Sequence, residues 1–178
     1  MKFVNLKLKG AILIKNFFLT DSRGVFVKPF TRSVDLLRNL DFEIEEIYYS
    51  ISKKNVIRGM HFQHPPMDHD KLIYLTSGEI TDVLLDLRKS SKTYKNHIFI
   101  DLSAHENALF IPSGIAHGFL SKKEGTTVVY NQSTVYSQEH DEGILWNSFG
   151  YDWGLDRPTL SDRDQSFFSF DEFNSPFK

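Results

Sequence analysis

The chain has 178 residues, and its 21 Lys and Arg against 23 Asp and Glu give a formal charge of −2 at pH 7. Such a balance lacks the positive field that grips a nucleic-acid backbone, so no nucleic-acid partner is expected. The absence of cysteine excludes disulfide scaffolds, thiolate metal sites and cysteine nucleophiles. No apolar run approaches the ~20 residues that span a bilayer, and the chain opens on no signal peptide, so we expect a cytoplasmic protein without a membrane partner.

Short apolar or alternating runs recur along the chain, and polar turn residues separate them. The 16 Phe and 7 Tyr add to this pattern, because aromatic side chains favour the pleated surface of a sheet. Only Ser33 to Leu40 has the i, i+3, i+6 spacing of a helix, with Ser33 as a candidate N-cap. The runs predicted as strands are residues 11–14, 17–19, 25–27, 44–49, 56–57, 72–75, 80–87, 97–102, 108–111 and 126–130.

Many short strands with hardly any helix predict an all-β fold, a jelly-roll barrel or β-sandwich. The sequence has no repeat, low-complexity tract or Pro/Gly-rich linker, so residues 1–178 are expected to form one domain. Its C-terminal tail, about residues 160–178, carries five Phe within a polar sequence. We expect those rings to cover a sheet edge or one end of the barrel, or to form a dimer contact.

Two segments, residues 55–71 and 111–119, carry the histidines that bear on function. These histidines are His61, His64, His69 and His117. Strands with His in one segment and Pro-x-Gly-x-x-His in a later one resemble the cupin superfamily, whose members commonly bind a metal through a His-x-His pair, a Glu and the later His. Here position 63 is Gln and residues 55–71 contain no Glu, so no metal site is predicted.

Arg58, His61 and Lys71 place three potential cations in one short segment, which we expect to occupy adjacent strands. Burying such groups in the concave interior of a barrel is costly unless an anion binds there. A phosphorylated or diphosphorylated ligand fits this demand, because Arg presents a fork that matches phosphate.

Nearly the whole chain, from about Phe18 to Asp164, resembles the dTDP-4-dehydrorhamnose 3,5-epimerase family, a metal-free branch of the cupins. The matching stretches are residues 21–26, 56–63, Lys71 with 77–78, 82–88, 111–120 and 160–164. Enzymes of this family invert C3 and C5 of a 4-keto-6-deoxy sugar attached to a nucleoside diphosphate. The resemblance therefore implies a cupin-type fold and a nucleoside-diphosphate sugar as the partner.

The resemblance implies four catalytic residues. His61 is the base, and Asp164 sets its tautomer and stabilises the imidazolium. Lys71 places a cation at the developing enolate oxygen. Tyr130 is the acid that delivers a proton from the opposite face. No cofactor is expected, because the ketone is itself the electron sink.

The resemblance also implies binding roles. It assigns the diphosphate to Arg23 and Arg58, the sugar or phosphate to Ser50 and His117, and the nucleoside to Phe26 and Tyr136. The family is typically a homodimer in which strands of one subunit complete the sheet of the other and contribute to its site. A homodimer is therefore expected here.

Three positions depart from the family pattern. Lys28 stands where the family has Glu, and Glu46 and Tyr48 stand where it has Gln-x-Asn. These positions surround the nucleotide and sugar, so we expect them to change which ligand binds. The hypothesis is an epimerase outside the plain dTDP-rhamnose route, acting on another 4-keto sugar, on a CDP- or GDP-linked one, or at one carbon alone.

Three alternatives remain open. A neighbouring branch of the superfamily moves the keto group of sugar nucleotides between C3 and C4, so a ketoisomerase is the enzymatic runner-up. A metal-dependent cupin enzyme would use His61, His64, His69 or His117. A non-catalytic carbohydrate-binding cupin would tolerate loss of Tyr130 or Asp164, yet both are present.

Overall fold

A computed structural model describes residues 1–31, 40 and 42–178, and these form mostly β-strands. The predicted helix at Ser33 to Leu40 lies outside the described residues except for Leu40. The strands are β1 Lys2–Asn5, β2 Ile12–Lys15, β3 Phe17–Asp21, β4 Gly24–Lys28, β5 Glu46–Ser52, β6 Ile57–Gln63, β7 Lys71–Ser77, β8 Glu79–Asp86, β9 His97–Ser103, β10 Asn107–Ile111, β11 Ile115–Ser121, β12 Thr126–Gln132 and β13 Asp141–Gly143. A short helix, α1, spans Asp162–Gln165.

Within the described ranges the strands form two large antiparallel sheets and a separate hairpin. One sheet has six strands in the order β1-β2-β10-β7-β12-β5, and the other has five in the order β13-β6-β11-β8-β9. Strands β3 and β4 pair only with each other in this part of the chain. The prediction of an all-β sandwich with little helix is confirmed.

The two large sheets face each other across an apolar core. Ile73, Leu109 and Val128 of the six-stranded sheet pack with Leu84 and Phe119 of the five-stranded sheet. All five side chains are buried. This shared core fixes the separation of the sheets, so any polar side chain that points inward meets the opposite sheet.

Several strand limits differ from the predicted ones. The strand predicted at 56–57 is β6 and continues to Gln63, while the one predicted at 44–49 starts at Glu46 and continues to Ser52. The predicted strands also omit β1, β11 and β13. Polar residues that point into a cavity interrupt the apolar alternation of β5 and β6, which explains why their full lengths were not visible in the sequence.

Strands β6 and β11 approach each other unusually closely at two glycines. Gly59 has φ +139°, and a Cβ there would overlap the Cα of Gly118. A side chain at Gly59 would therefore meet both backbone strain and a steric clash. This close approach holds β6, which carries His61, against β11, which carries His117.

The Phe-rich tail packs on the five-stranded sheet. The rings of Phe173 and Phe177 lie 5.4 and 5.7 Å from that of Phe62 on β6. Phe177 is buried, and Phe168 is exposed. The expectation that tail rings cover the sheet holds for Phe173 and Phe177.

None of the helices that the structure describes has both the length and the apolar character needed to cross a membrane.

Candidate active site

A histidine and an aspartate form a hydrogen-bonded pair between β6 and the C-terminal segment. Nε2 of His61 lies 2.8 Å from Oδ1 of Asp164, and the backbone N–H of Gly59 donates to Oδ2 at 3.2 Å. Asp164 sits in α1, whose N-cap Ser161 accepts a hydrogen bond from the Asp164 backbone N–H. The cap therefore orients the carboxylate that holds the imidazole.

The electrostatics of the pair keep His61 as a neutral base. Burial lowers the pKa of the imidazole, although Asp164 opposes the effect. Burial would raise the pKa of the Asp164 carboxyl, but hydrogen bonds from His61 and Gly59 hold it below its ordinary value. An ionised carboxylate at Nε2 places the ring proton there and leaves the lone pair on Nδ1. The His61 side chain is 29% exposed while that of Asp164 is 4% exposed, so the histidine is the member that a ligand can reach.

Lys71 lies beside this pair as a buried cation. Its Nζ donates to the backbone carbonyl of His61 at 3.3 Å. Burial lowers the pKa of the Lys71 ammonium to about 8. The expectation that His61 and Lys71 occupy adjacent strands is wrong, because β6 and β7 belong to different sheets. Residues 64–70 carry the chain across, so the two groups face each other instead.

Two tyrosines stack on the opposite sheet. Tyr48 of β5 and Tyr130 of β12 are cross-strand neighbours, with ring centroids 4.6 Å apart at 16°. The hydroxyl of Tyr130 lies 3.5 Å from Oγ of Ser50, and Nε2 of Gln132 donates to the hydroxyl of Tyr48 at 2.7 Å. Burial raises the pKa of both phenols, so each stays protonated and able to donate.

Two cavities meet at these groups, and Tyr48, His61 and Lys71 line both of them. The smaller cavity, of about 190 Å³, adds Ser50, Arg58, His117, Phe119 and Tyr130. The larger cavity, of about 310 Å³, adds among others Glu46, Gln63, His69, Tyr136, Asp141 and Arg163. Nine of the thirteen predicted site residues therefore line one or both of these cavities. A tenth, Asp164, contacts them through its hydrogen bond to His61.

The smaller cavity is the more basic of the two. Arg58 donates to Oγ of Ser52 at 3.0 Å and to the carbonyl of Ile51 at 3.3 Å, with no carboxylate partner in the described part of the chain. His117 holds Asp82 through Nε2 at 2.7 Å. An arginine without a carboxylate partner in a cavity wall suits an anionic group.

Asp82 is a site residue that the sequence analysis missed. It is fully buried on β8, and burial raises the pKa of its carboxyl. The available signal was the presence of two carboxylates, Asp82 and Asp86, within the largely apolar run 80–87, because a buried carboxylate needs a partner. His117 is that partner, which orients this imidazole beside Tyr130.

Glu46 and Tyr48, the two residues of β5 that depart from the family pattern, both line the larger cavity. The carboxylate of Glu46 accepts a hydrogen bond from the backbone N–H of Tyr136, and Tyr48 lines both cavities. The hydroxyl of Tyr136 donates to Asp141 at 3.3 Å. Gln63 and His69 also line this cavity; Gln63 was not predicted to bind a ligand, and His69 was named only for the metal-dependent alternative.

Arg23, Phe26 and Lys28 lie elsewhere, on the β3–β4 hairpin. Arg23 pairs with Asp21, and neither Phe26 nor Lys28 lines the larger or the smaller cavity. Phe26 is 57% exposed, and Leu19 of the same hairpin is 58% exposed. Within one chain, the structure therefore does not bring these three predicted binding residues to the site.

The histidines do not gather around a common point. Among residues 1–31, 40 and 42–178, the structure places no group of three or more His, Cys, Asp and Glu where it would hold a metal ion. Each of His61 and His117 has its own carboxylate.

Known proteins match this chain over nearly its whole length. A family model described as dTDP-4-dehydrorhamnose 3,5-epimerase matches residues 5–172. The dTDP-4-dehydrorhamnose 3,5-epimerase of Methanothermobacter thermautotrophicus is 36% identical over 172 residues, which cover 93% of this chain and 92% of that relative.

Solved structures agree with the sequence match. The dTDP-4-dehydrorhamnose 3,5-epimerase of Sulfolobus tokodaii has a TM-score of 0.90 at 33% identity and covers 99% of this chain and 98% of its own. The Bacillus anthracis enzyme of the same description, solved with TDP and PPi bound, has a TM-score of 0.87 at 34% identity and covers 93% of this chain and 97% of its own.

Two facing antiparallel sheets that enclose a His–Asp pair, a buried lysine and a phenol define a cupin-type enzyme, and the predicted fold class is confirmed. The chain belongs to the dTDP-4-dehydrorhamnose 3,5-epimerase family. It is an isomerase-class enzyme, an epimerase, as the resemblance implied.

Proposed function

We propose that this enzyme epimerises a nucleoside-diphosphate-linked 4-keto-6-deoxy sugar at C3, C5 or both, through an enolate. The observation that carries the proposal is the arrangement of His61 with Asp164 behind it, Lys71 beside it and Tyr130 on the facing sheet. A carbon next to a ketone loses a proton only when a base is close and the enolate is stabilised. In this arrangement His61 is the base, Lys71 stabilises the enolate and Tyr130 is the acid.

The first step removes a proton from the carbon that flanks the ketone. Nδ1 of His61 takes the proton, and the C–H electron pair moves into the enolate, whose oxygen lies near Nζ of Lys71. The imidazolium that forms is stabilised by Asp164, which is ionised and almost fully buried. No external oxidant or reductant is needed, because the carbonyl group accepts and returns the electron pair.

The second step returns a proton to the opposite face of the same carbon. The Tyr130 hydroxyl donates this proton, since burial keeps the phenol neutral. Tyr130 and His61 stand on facing sheets, so the proton leaves from one side of the sugar and arrives from the other. Exchange with solvent resets both residues.

In this proposal the reacting sugar lies in the smaller cavity, which His61, Lys71 and Tyr130 line together, and the diphosphate binds at Arg58 on its wall. Arg58 supplies the positive fork, and His117, held by Asp82, lines the same cavity. The TDP and PPi of the Bacillus anthracis structure support an anionic ligand of this type. Ser50 lies within reach of both the sugar and the phosphate because it borders Tyr130.

A homodimer completes the site. The β3–β4 hairpin projects Phe26, Leu19 and Arg23 into solvent, and an exposed apolar surface of this kind is typical of an interface. We place this hairpin at the cavity of the partner subunit, where Arg23 and Lys28 contact the nucleotide. Mixing an inactive His61→Ala variant with an Arg23→Ala variant then restores activity, because one site of each mixed dimer is intact. Absence of restored activity contradicts this part of the proposal.

We propose that the reaction differs from that of plain dTDP-rhamnose synthesis in the nucleotide, in the sugar or in the number of carbons inverted. Tyr48 stacks on Tyr130 and lines both cavities, while Glu46 adds a carboxylate to the larger one. Binding titrations with dTDP, CDP and GDP test this proposal. A strong preference for dTDP would show that Lys28, Glu46 and Tyr48 do not change the choice of base.

The central experiment is incubation with 4-keto-6-deoxy sugar nucleotides in D₂O. Deuterium at C3, C5 or both, with inversion, is the expected result, and His61→Ala should abolish it. The matched control is His97→Ala on β9, a histidine that lines neither cavity. Migration of the keto group to C3 would identify a ketoisomerase, and metal-dependent turnover would identify the metal enzyme. Either outcome would overturn the proposal.

A further inference from the structure

Tyr48 places an aromatic ring directly against Tyr130, the proposed acid. The two residues are register partners on β5 and β12, so their side chains leave the sheet on the same face. Their rings are nearly parallel, with centroids 4.6 Å apart at 16°. Tyr130 is 7% exposed while Tyr48 is 41% exposed, so Tyr48 is the outer member of the pair and covers one face of the acid.

The Tyr48 side chain is itself held by two contacts. Its hydroxyl accepts a hydrogen bond from Nε2 of Gln132 at 2.7 Å. Gln132 follows Tyr130 by two positions on β12, so its side chain emerges on the same face of the sheet. One strand therefore supplies both the ring on which Tyr48 stacks and the amide that anchors its hydroxyl. These two contacts together fix the orientation of the Tyr48 ring.

The other polar and ring contacts of Tyr130 are weaker. In the described part of the chain, the Tyr130 hydroxyl has one polar neighbour, Oγ of Ser50, at 3.5 Å. This distance is at the outer limit of a hydrogen bond, so Ser50 by itself holds the phenol only loosely. The ring of His117 meets that of Tyr130 edge-on, with centroids 6.1 Å apart at 72°. Of these contacts, the stack covers a whole face of the ring and therefore restricts the tilt of the phenol most.

The direction of the Tyr130 hydroxyl decides the outcome of the proposed reaction. Once His61 has removed the proton, the enolate takes a proton back from one of two groups. Delivery by Tyr130 from the facing sheet gives inversion, whereas return by the His61 imidazolium restores the original configuration. A phenol displaced by about 1 Å delivers its proton more slowly, because proton transfer needs close alignment, while abstraction by His61 is unaffected.

We infer that Tyr48 is a positioning residue, whose ring holds Tyr130 in the orientation that delivers the proton to the enolate. This inference rests on the proposed function, because it takes Tyr130 as the acid. Tyr48 itself gives up no proton in this role. Loss of its ring should lower the inverted fraction of the product, whereas loss of its hydroxyl should not.

The test compares wild type with Tyr48→Leu and Tyr48→Phe, using a 4-keto-6-deoxy sugar nucleotide that wild type inverts in D₂O. NMR at early times measures the rate of inversion and the rate of deuterium uptake with retained configuration. Tyr48→Leu has no aromatic face, so its kcat for inversion should fall by about 10–100-fold. Uptake with retention should rise relative to inversion by about the same factor, and KM should stay within about threefold of wild type. Tyr48→Phe keeps the ring and should invert at a rate within about threefold of wild type.

Tyr74→Leu is the matched control for loss of an aromatic ring. Tyr74 is a half-buried tyrosine of the same sheet, on β7, and it lines neither cavity. This variant should leave the ratio of retention to inversion unchanged. The same change of ratio in Tyr74→Leu as in Tyr48→Leu would show a general effect on the sheet and overturn the inference.

Each other outcome also overturns the inference. An unchanged ratio in Tyr48→Leu shows that other contacts hold Tyr130, and a rise in KM with an unchanged ratio identifies a contact with the substrate instead. Equal losses of inversion and of exchange indicate general damage to the site. A change of ratio in Tyr48→Phe as large as that in Tyr48→Leu assigns the effect to the hydroxyl.

Two further provisions keep the test decisive. Should Tyr48→Leu not fold, Tyr48→Met makes the same comparison. A wild type without deuterium uptake removes the proposed function and this inference together. An active wild type with an unchanged ratio in the variant that lacks the ring removes the inference alone.

Discussion

Replacing Lys71 by Met should stabilise the free enzyme while it destroys activity. The pKa of Lys71 falls from 10.5 to about 8 on burial. At 1.36 kcal/mol per pKa unit, burying the charged form costs about 3 kcal/mol at pH 7. Losing the hydrogen bond to the His61 carbonyl costs about 1 kcal/mol. The net expectation is a gain of about 2 kcal/mol in the free energy of unfolding, or about 4–8 °C in Tm.

The difference in stability between wild type and Lys71→Met should change with pH in a defined direction. Between pH 8 and 10.5 the folded protein has lost the Lys71 proton while the unfolded chain still binds it. The stability of wild type relative to Lys71→Met should therefore rise by up to about 1.4 kcal/mol per pH unit in this window. Comparing the two proteins cancels the contributions of all other titrating groups.

Urea unfolding at pH 7 and at pH 9.5 measures both quantities, and Lys53→Met is the control because Lys53 is exposed. For activity, the cation at the enolate oxygen is needed. The kcat/KM of wild type should thus fall as the pH rises through about 8, and Lys71→Met should lose most of its turnover. A variant less stable than wild type at pH 7, with the same pH slope, would refute the argument from charge burial.

Three further predictions concern residues near the His61–Asp164 pair. Tyr130→Phe should slow inversion by about 10²–10⁴-fold. Since His61 still abstracts the proton, deuterium should enter without inversion, as NMR would show. Arg58→Ala should raise the dissociation constant of the nucleoside diphosphate by about 10–100-fold, measured by calorimetry. Gly59→Ala should lower the free energy of unfolding by about 1–3 kcal/mol in a urea titration, because its φ of +139° and the nearby Gly118 leave no room for a Cβ.

Controls separate these effects from general damage. Tyr136→Phe removes a phenolic hydroxyl from the larger cavity. Unlike Tyr130→Phe, it should not give deuterium exchange without inversion. Arg157→Ala, which lies outside both cavities, should leave nucleoside diphosphate binding unchanged. Gly125→Ala has open space around the added Cβ but φ +70°, so it isolates the cost of backbone strain. Equal losses at Gly59 and Gly125 would contradict a role for the close approach of β6 to β11.

Local chemistry made part of this protein predictable. Recurring short apolar runs and a high aromatic content are typical of strands, so the all-β fold followed from residue pattern alone. His61, Lys71, Tyr130 and Asp164 could be assigned roles because the resemblance rests on short motifs. Side chains alternate along a strand, so Gln63 lies on the same face of β6 as His61. Both line the larger cavity.

Other features depend on contacts between residues far apart in the chain. Asp82 and His117 are 35 positions apart and meet only because β8 and β11 pair. The Gln63 amide is oriented by the backbone N–H of Ser137, which lies 74 positions away and donates to its Oε1. Lys71 faces His61 from the other sheet, although the sequence suggested adjacent strands. The residue pattern predicts which face of a strand a side chain occupies. The partner that the side chain meets on that face depends on how the sheets pack. Burial against that partner then determines the charge and the tautomer of the side chain.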